Sequence, residues 1–243
     1  KYLSVMNIML ILAVFLAFFV SALMGQGGGL IMAPVMIAAF GPKEGVAIAA
    51  VLMAANNVIK AAAYLRSIPK VSFLLAIGTV AGTLIGSLLL VSVPEKIVLF
   101  AAMASILASF GYEVFGRQAL RIGDKNVAVL FAAIAGITSG VSGTSGPLKA
   151  VSVRMMNLQP LRHVGAATVL SLVGDVTKAI ALVAAGVTSY SSVLEVGWAF
   201  ALMPLATWGG WYINSRKMKP QWFGILFWIT IGAYLLRLAV KAF

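Results

Sequence analysis

Apolar positions in this chain come in long unbroken runs rather than in alternation with polar ones. Runs at 46–65, 71–93, 97–115, 164–185, 193–213 and 221–240 each approach the roughly 20 residues that a helix needs to cross a bilayer. The pattern predicts six full transmembrane helices. Two further stretches differ. An apolar run at 5–24 passes directly into the glycine break GQGGG at 25–29, followed by only a short apolar segment, 30–40, before Gly41-Pro42-Lys43. A second stretch repeats the form: 126–142, then GTSGP at 143–147, then 148–156. A half-length segment after a glycine break predicts a re-entrant hairpin. Irregular backbone at membrane depth survives only where protein buries it or a cavity admits water, so each break is expected to face an internal cavity.

The two breaks belong to a duplication. At a constant offset of 118 residues, Gly25 pairs with Gly143, Gly28 with Gly146, Pro42 with Pro160, Val46 with Val164, Ala49 with Ala167, Val58 with Val176 and Lys60 with Lys178. Apolar identities are cheap in so apolar a chain, whereas a matched lysine inside a hydrophobic run is not. The expected organisation is a first repeat at 1–115, a cytoplasmic linker at 116–125 and a second repeat at 126–243, intertwined as one transport domain.

Basic residues orient the layout. Arg66 and Lys70, then Arg117, Arg121 and Lys125, then Arg162, then Arg216, Lys217 and Lys219 mark four basic connections, while the loops around Glu95-Lys96 and at 186–195 are poor in positive charge. With basic loops cytoplasmic, the first hairpin enters from outside and the second from inside. Each half is then a hairpin plus three spans, and the halves have opposite orientation. The expected fold is an all-α integral membrane protein of two inverted-topology repeats, a plan that places binding sites at the bilayer midplane of secondary transporters.

Composition agrees with this. The chain is 62% hydrophobic and 10% charged, with a mean hydropathy of +1.05, values that belong to a lipid-facing surface. Its net charge of +12 follows mostly from the basic loops, so no nucleic-acid partner is expected. The absence of cysteine and the single histidine, His163, leave no thiolate or histidine metal site. The first apolar run is too long for a signal peptide and lacks a cleavage pattern, so it is read as part of the fold. Gly78, Gly82 and Gly86 form a GxxxGxxxG stripe, expected to serve close helix packing. Arg154 with Arg162 and His163, and Arg237 with Lys241, read as headgroup anchors, and the tryptophans as interface belts and packing.

Candidate chemistry lies at the repeated positions. Lys60 follows Val46 by fourteen residues, which at ~1.5 Å per residue carries it ~21 Å into a layer of ~30 Å. Lys178 follows Val164 by the same interval from the opposite face, so the two ammonium groups should flank the midplane, with Asn56, Asn57, Gly174 and Asp175 between them. Lys60 could also snorkel toward the headgroups near Arg66; Lys178 has no such basic neighbour at its nearer face. Asp175 lies three residues before Lys178, on one helical face where the two can pair. Either that pairing is simple charge neutralisation, or Asp175 carries a proton. The glycine breaks read as anion sites, because the half-helices after them present free N–H groups and positive dipole ends. The candidate substrate-binding residues are Lys60, Lys178, Gln26, Gly27, Gly28, Gly29, Asn56, Asn57, Thr144, Ser145, Gly146 and Lys149, with Asp175 for proton coupling. No catalytic residue, cofactor or metal is expected.

With these features in view, the chain resembles the TauE/SafE family of membrane transporters, also called sulfite exporters. The residues that carry the resemblance are Gly25, Gly27, Gly28, Gly29 and Pro34, then Gly41 and Ala49, then Gly140, Gly143, Gly146 and Pro147, and it extends over essentially the whole chain. The second break departs from the fuller glycine run of the first, with Ser145 where Gly27 stands and Pro147 where Gly29 stands. The resemblance implies movement of sulfur oxyanions or organosulfonates such as sulfite, thiosulfate and sulfoacetate, commonly outward across the bacterial inner membrane. The resulting expectation is a proton-coupled or anion-driven secondary transporter working by alternating access, not an enzyme. An anion channel would use the same charges, and a membrane enzyme acting on an anionic lipid lacks the acid and base set it would need. The expected partners are a small anion, the lipid bilayer and protons as coupling ion, with homodimerisation left open.

Overall fold

A computed structural model describes residues 2–111, 124–145 and 148–215. Among them the chain forms ten α-helices and one 3-10 turn, with no strand: α1 (Tyr2–Met24), α2 (Gly28–Phe40), α3 (Pro42–Tyr64) with its 3-10 tail Leu65–Ser67, α4 (Val71–Ser92), α5 (Glu95–Gly111), α6 (Lys125–Ser142), α7 (Leu148–Arg154), α8 (Pro160–Ala184), α9 (Tyr190–Glu195) and α10 (Trp198–Ser215).

Local chemistry sets these boundaries. Pro42 and Pro160 occupy the first turns of α3 and α8, where a missing N–H costs nothing. The Asp124 carboxylate accepts from the N–H groups of Asn126 (2.7 Å) and Val127 (3.4 Å), capping α6. Gly143, at φ +79°, closes the other end of α6 by donating its N–H to Ser139 O, as a left-handed C-terminal glycine does.

Both predicted hairpins are present: α1 turns into α2 and α6 into α7, and in each pair the arms pack on one another. The segment after the first break starts at Gly28 rather than at Leu30, because Gly28 must be pressed against α1. A Cβ there would lie 2.6 Å from Ala17 O. The runs at 46–65, 71–93 and 164–185 appear as α3, α4 and α8, and the run at 97–115 as α5 as far as Gly111. The run at 221–240 lies outside the described residues. The run at 193–213 is not one continuous span. It divides into α9 and α10 at Val196-Gly197, where Gly197 N–H bonds Leu194 O and Phe200 N–H bonds Gly197 O. Glycine interrupts the helix and Trp198 restarts it.

By length and hydropathy, Pro42–Ser67, α4, α6 and α8 can each cross a membrane, and the shorter Ile8–Met24 and α2 are also apolar. The helices are sided as lipid requires. On α4, Phe73, Ile77, Leu84 and Leu88 face outward while Ser72, Thr79, Thr83 and Ser87 are buried. This is an all-α, multi-pass membrane protein.

Helix pairing crosses between the halves. α4 packs along α6, α10 along α1, α3 against α8, α4 against α8 and α10 against α3. Shifting residue numbers by 118 carries α1 onto α6, α3 onto α8 and α4 onto the α9–α10 region, so each of these contacts has a counterpart in the other half. Glycine permits the closest crossing. Cβ atoms at Gly82 and Gly86 would collide with the Ala133 and Ile137 carbonyl oxygens of α6, and from α6, Gly136 and Gly140 approach the α4 backbone at Thr83 and Ser87. In a bilayer the hydrophobic effect does not press helices together, and association depends on such close van der Waals packing.

Candidate functional site

The hairpin tips meet near the middle of the bundle. A Cβ on Gly25 would touch Val164 at 3.0 Å, one on Gly143 would touch Val46 Cγ2 at 3.2 Å, and one on Gly29 would come within 3.5 Å of Gly143 O. Val46 and Val164 are repeat counterparts, so each tip packs on the long helix of the opposite half.

Each buried lysine holds the tip of its own half. The Lys60 ammonium donates to Ser21 Oγ (2.9 Å) and to Gly25 O (3.2 Å). Lys178 donates to Ser139 Oγ (3.0 Å) and Gly143 O (3.3 Å). All four positions correspond at the 118-residue offset. The lysines are 0% and 1% exposed, so neither snorkels to the headgroups. Their charge lies against carbonyls at the C-terminal ends of α1 and α6, which is where a helix dipole favours a cation, and every bond offsets part of the cost of burying it.

The halves differ at the next position. Lys178 also pairs with Asp175 Oδ1 at 3.0 Å, as their spacing predicts, while Asp175 Oδ2 accepts from Asn57 Nδ2 at 2.8 Å. Asn57 and Asp175 are repeat counterparts, so they meet across the boundary between the halves, with one side neutral and the other charged.

Beside Asp175 lies a small cavity between α4, α6 and α8, closed by the second hairpin through Ser145 and Lys149. It holds about 10 Å³, room for roughly one water. Thr79 and Thr83 line it from α4, Ser139 from α6, and Ser171, Gly174 and Asp175 from α8. The Lys149 ammonium donates to Ser171 Oγ at 3.0 Å, and Ser171 donates to Gly25 O at 3.4 Å, linking the cavity to the first tip. Besides the paired Asp175 and Lys178, Lys149 brings a second basic side chain, set in the cavity wall.

The predicted candidates therefore separate. Ser145, Lys149 and Asp175 line the cavity, and Asn57 and Lys178 are bonded to Asp175. Lys60 belongs to the first tip, as do Gln26, Gly27, Gly28 and Gly29, of which Gly28 is buried and the others half-buried. Thr144 is buried, and its carbonyl accepts from Ser142 Oγ at 2.8 Å. Asn56 turns away from the cavity, accepting from Thr207 of α10 at 2.7 Å. Gly146 lies outside the described residues. Reading for charge and glycine missed Thr79, Thr83, Ser139 and Ser171. A signal for the first two was present, since Thr79, Thr83 and Ser87 each follow a glycine of the GxxxGxxxG stripe and so share one helical face with it.

Helical hairpins packed among helices long and apolar enough to cross a membrane, with buried lysines around a polar cavity, are the architecture of a multi-pass membrane protein with a polar interior. The chain belongs to the sulfite exporter TauE/SafE family, whose pattern matches residues 10–238. Membership identifies it as a membrane transporter of a sulfur-anion exporter family. No curated protein and no solved structure gives a match.

Proposed function

We propose that the protein is a secondary transporter that exports a small sulfur oxyanion or organosulfonate, of the sulfite, thiosulfate or sulfoacetate type, by alternating access. The bacterial inner membrane is its proposed location. The observation that carries this reading is the convergence of Lys60, Lys149 and Lys178 on hairpin tips and a polar cavity deep in the bundle of a sulfite exporter family member. Intramembrane charge is costly and is retained where it handles a charged ligand or a partner.

Asn57, Lys178, the two tips and the cavity residues Ser145 and Lys149 form the proposed anion site, with the inverted repeat as the device that alternates its exposure. The matched contacts at the 118-residue offset support that device. A cavity of about 10 Å³ is too small for an anion of four or more heavy atoms, so loading requires the hairpins and long helices to separate. Asp175 is the proposed proton carrier. Its carboxylate faces Lys178 on its own helix, Lys149 on α7, and Asn57 and Lys60 on α3, so protonation would end its ion pair with Lys178 and raise the positive charge of the site, while its carbonyl oxygen could still accept from Asn57.

The test is flux of radiolabelled sulfite in proteoliposomes of purified protein. Lys149→Ala is expected to lower flux at least tenfold, and Asp175→Asn to remove the response to a pH gradient while anion exchange persists. Flux that ignores both changes would reject the reading.

A further inference from the structure

The offset that relates the two halves also shows where they stop being alike. In the second half the cavity wall includes Gly136, Lys149 and Ser171. Their counterparts in the first half are Phe18, Ile31 and Met53, which are buried together in the apolar core around α1, α2 and α3. Phe18 stands where Gly136 lets α6 press against the α4 backbone, and Ile31 and Met53 replace an amine and a hydroxyl with hydrocarbon. On α4, Thr79 and Thr83 face the cavity, whereas their counterparts are Gly197 and Ala201.

One fully buried hydroxyl that lines this cavity has no hydrogen-bond partner among the described residues. Thr79 Oγ1 donates to Leu75 O at 3.1 Å, and Ser139 and Ser171 accept from Lys178 and Lys149. Thr83 is 0% exposed, lines the cavity, and its hydroxyl has no hydrogen-bond partner among the described residues. An unpaired buried hydroxyl costs stability, and such a cost is commonly retained at a functional site.

We propose that, within the anion site, the anion sits off the axis between the repeats, in the α4–α6–α8 cavity next to the second tip, where the Thr83 hydroxyl and the Lys149 ammonium donate to its oxygens. The inference rests on the anion-transport reading and adds a location and a specificity residue to it. A hydroxyl donor beside an ammonium suits a small oxyanion with at least two acceptor oxygens. It discriminates against a halide, which offers one centre and no divergent lone pairs in fixed geometry. The first half keeps the hairpin and its lysine pin but is plugged, so one cavity serves one anion per transport cycle.

The experiment is thermal stability of the detergent-purified full chain titrated with sodium sulfite, with sodium chloride at matched ionic strength as the comparison. Thr83→Val keeps the shape and removes the hydroxyl. It is expected to melt at or above the wild-type temperature without sulfite, yet to bind sulfite about tenfold more weakly, the loss of one hydrogen bond to a charged group. Thr83→Ser should stay within about twofold of wild type by retaining that bond. Thr168→Val removes another buried hydroxyl that lacks a partner among the described residues but does not line the cavity, and should leave sulfite affinity unchanged. Ser171→Met, which imports the first half's plug, should abolish the shift and serves if Thr83→Val does not fold. A wild-type response with unaltered affinity in Thr83→Val or Ser171→Met overturns this inference alone. No wild-type response to sulfite, nor to thiosulfate or sulfoacetate titrated in the same way, overturns the proposed function and this inference with it.

Discussion

At the residue scale, Lys60 and Lys178 occupy equivalent places with unequal electrostatics. Among the described residues Lys60 donates to neutral oxygens, Ser21 Oγ and Gly25 O, whereas Lys178 adds the Asp175 carboxylate. Removing Lys178 therefore strands a partly buried negative charge, and removing Lys60 does not. Breaking a buried ion pair from one side costs on the order of 3–5 kcal/mol, much of it the penalty of the remaining charge. Lys178→Ala is expected to lower the melting temperature of the purified protein substantially, and Lys178→Ala with Asp175→Asn to recover a large part of the loss. The same Asp175→Asn change should recover much less in Lys60→Ala, because the described bonds of Lys60 are to neutral oxygens. A double-mutant cycle that finds no coupling between positions 175 and 178 would contradict the ion-pair reading.

At the element scale, the α4–α6 crossing depends on glycines that bring backbone against backbone. Gly82→Ala would drive a methyl group into the Ala133 carbonyl, and neither helix can yield without moving the cavity wall that Thr79 and Thr83 share with Ser139. A loss of about 1–3 kcal/mol is expected, the usual range for overpacking, seen as reduced yield of monodisperse protein in detergent. Gly111→Ala at the end of α5, where a Cβ meets nothing within 4 Å among the described residues, should be neutral. Equal effects at the two positions would show that helix propensity, not close approach, governs the crossing. The break between α9 and α10 belongs to the same scale. It leaves α10 to begin at Trp198, and α10 then lies along α1, the counterpart of the α4–α6 pair but with Gly210 against Phe19 O in place of a three-glycine stripe.

At the scale of the whole molecule, the proposed inverted arrangement of the halves makes a labelling prediction that the absence of native cysteine makes easy to read. Single cysteines at Ala39, Glu95 and Tyr190 are expected to react with an impermeant thiol reagent from outside the cell. Cysteines at Lys70, Asn126 and Asn157 should react from the cytoplasmic side. All six positions are exposed. The decisive pair is Ala39 and Asn157, near the ends of the two hairpins' second arms. Labelling of both from one side would reject opposite orientation of the repeats, whatever the remaining positions report.

The membrane class, the two hairpins, the duplicated lysines and the Asp175–Lys178 pair were legible from order along the chain, because each follows from local quantities. These are the length of an apolar run, a glycine break, a fixed offset and a spacing of three on one helical face. Composition could not reveal which polar groups converge. Thr79, Thr83 and Ser171 look like ordinary hydroxyl residues of apolar helices, and they become one wall only because α4 of the first half packs against α6 and α8 of the second. The meeting of Asn57 with Asp175 has the same origin, since repeat counterparts 118 residues apart touch only once the halves interlock. Duplication marked the lysines as special, and tertiary packing assigned their bonds, turning Lys60 and Lys178 onto the carbonyls of their own hairpins while Lys149 took the cavity wall. Hydrophobicity and chain order therefore determined what kind of protein this is. The location of its polar cavity was decided by packing, because a buried polar atom takes whichever partner the fold brings within hydrogen-bond reach.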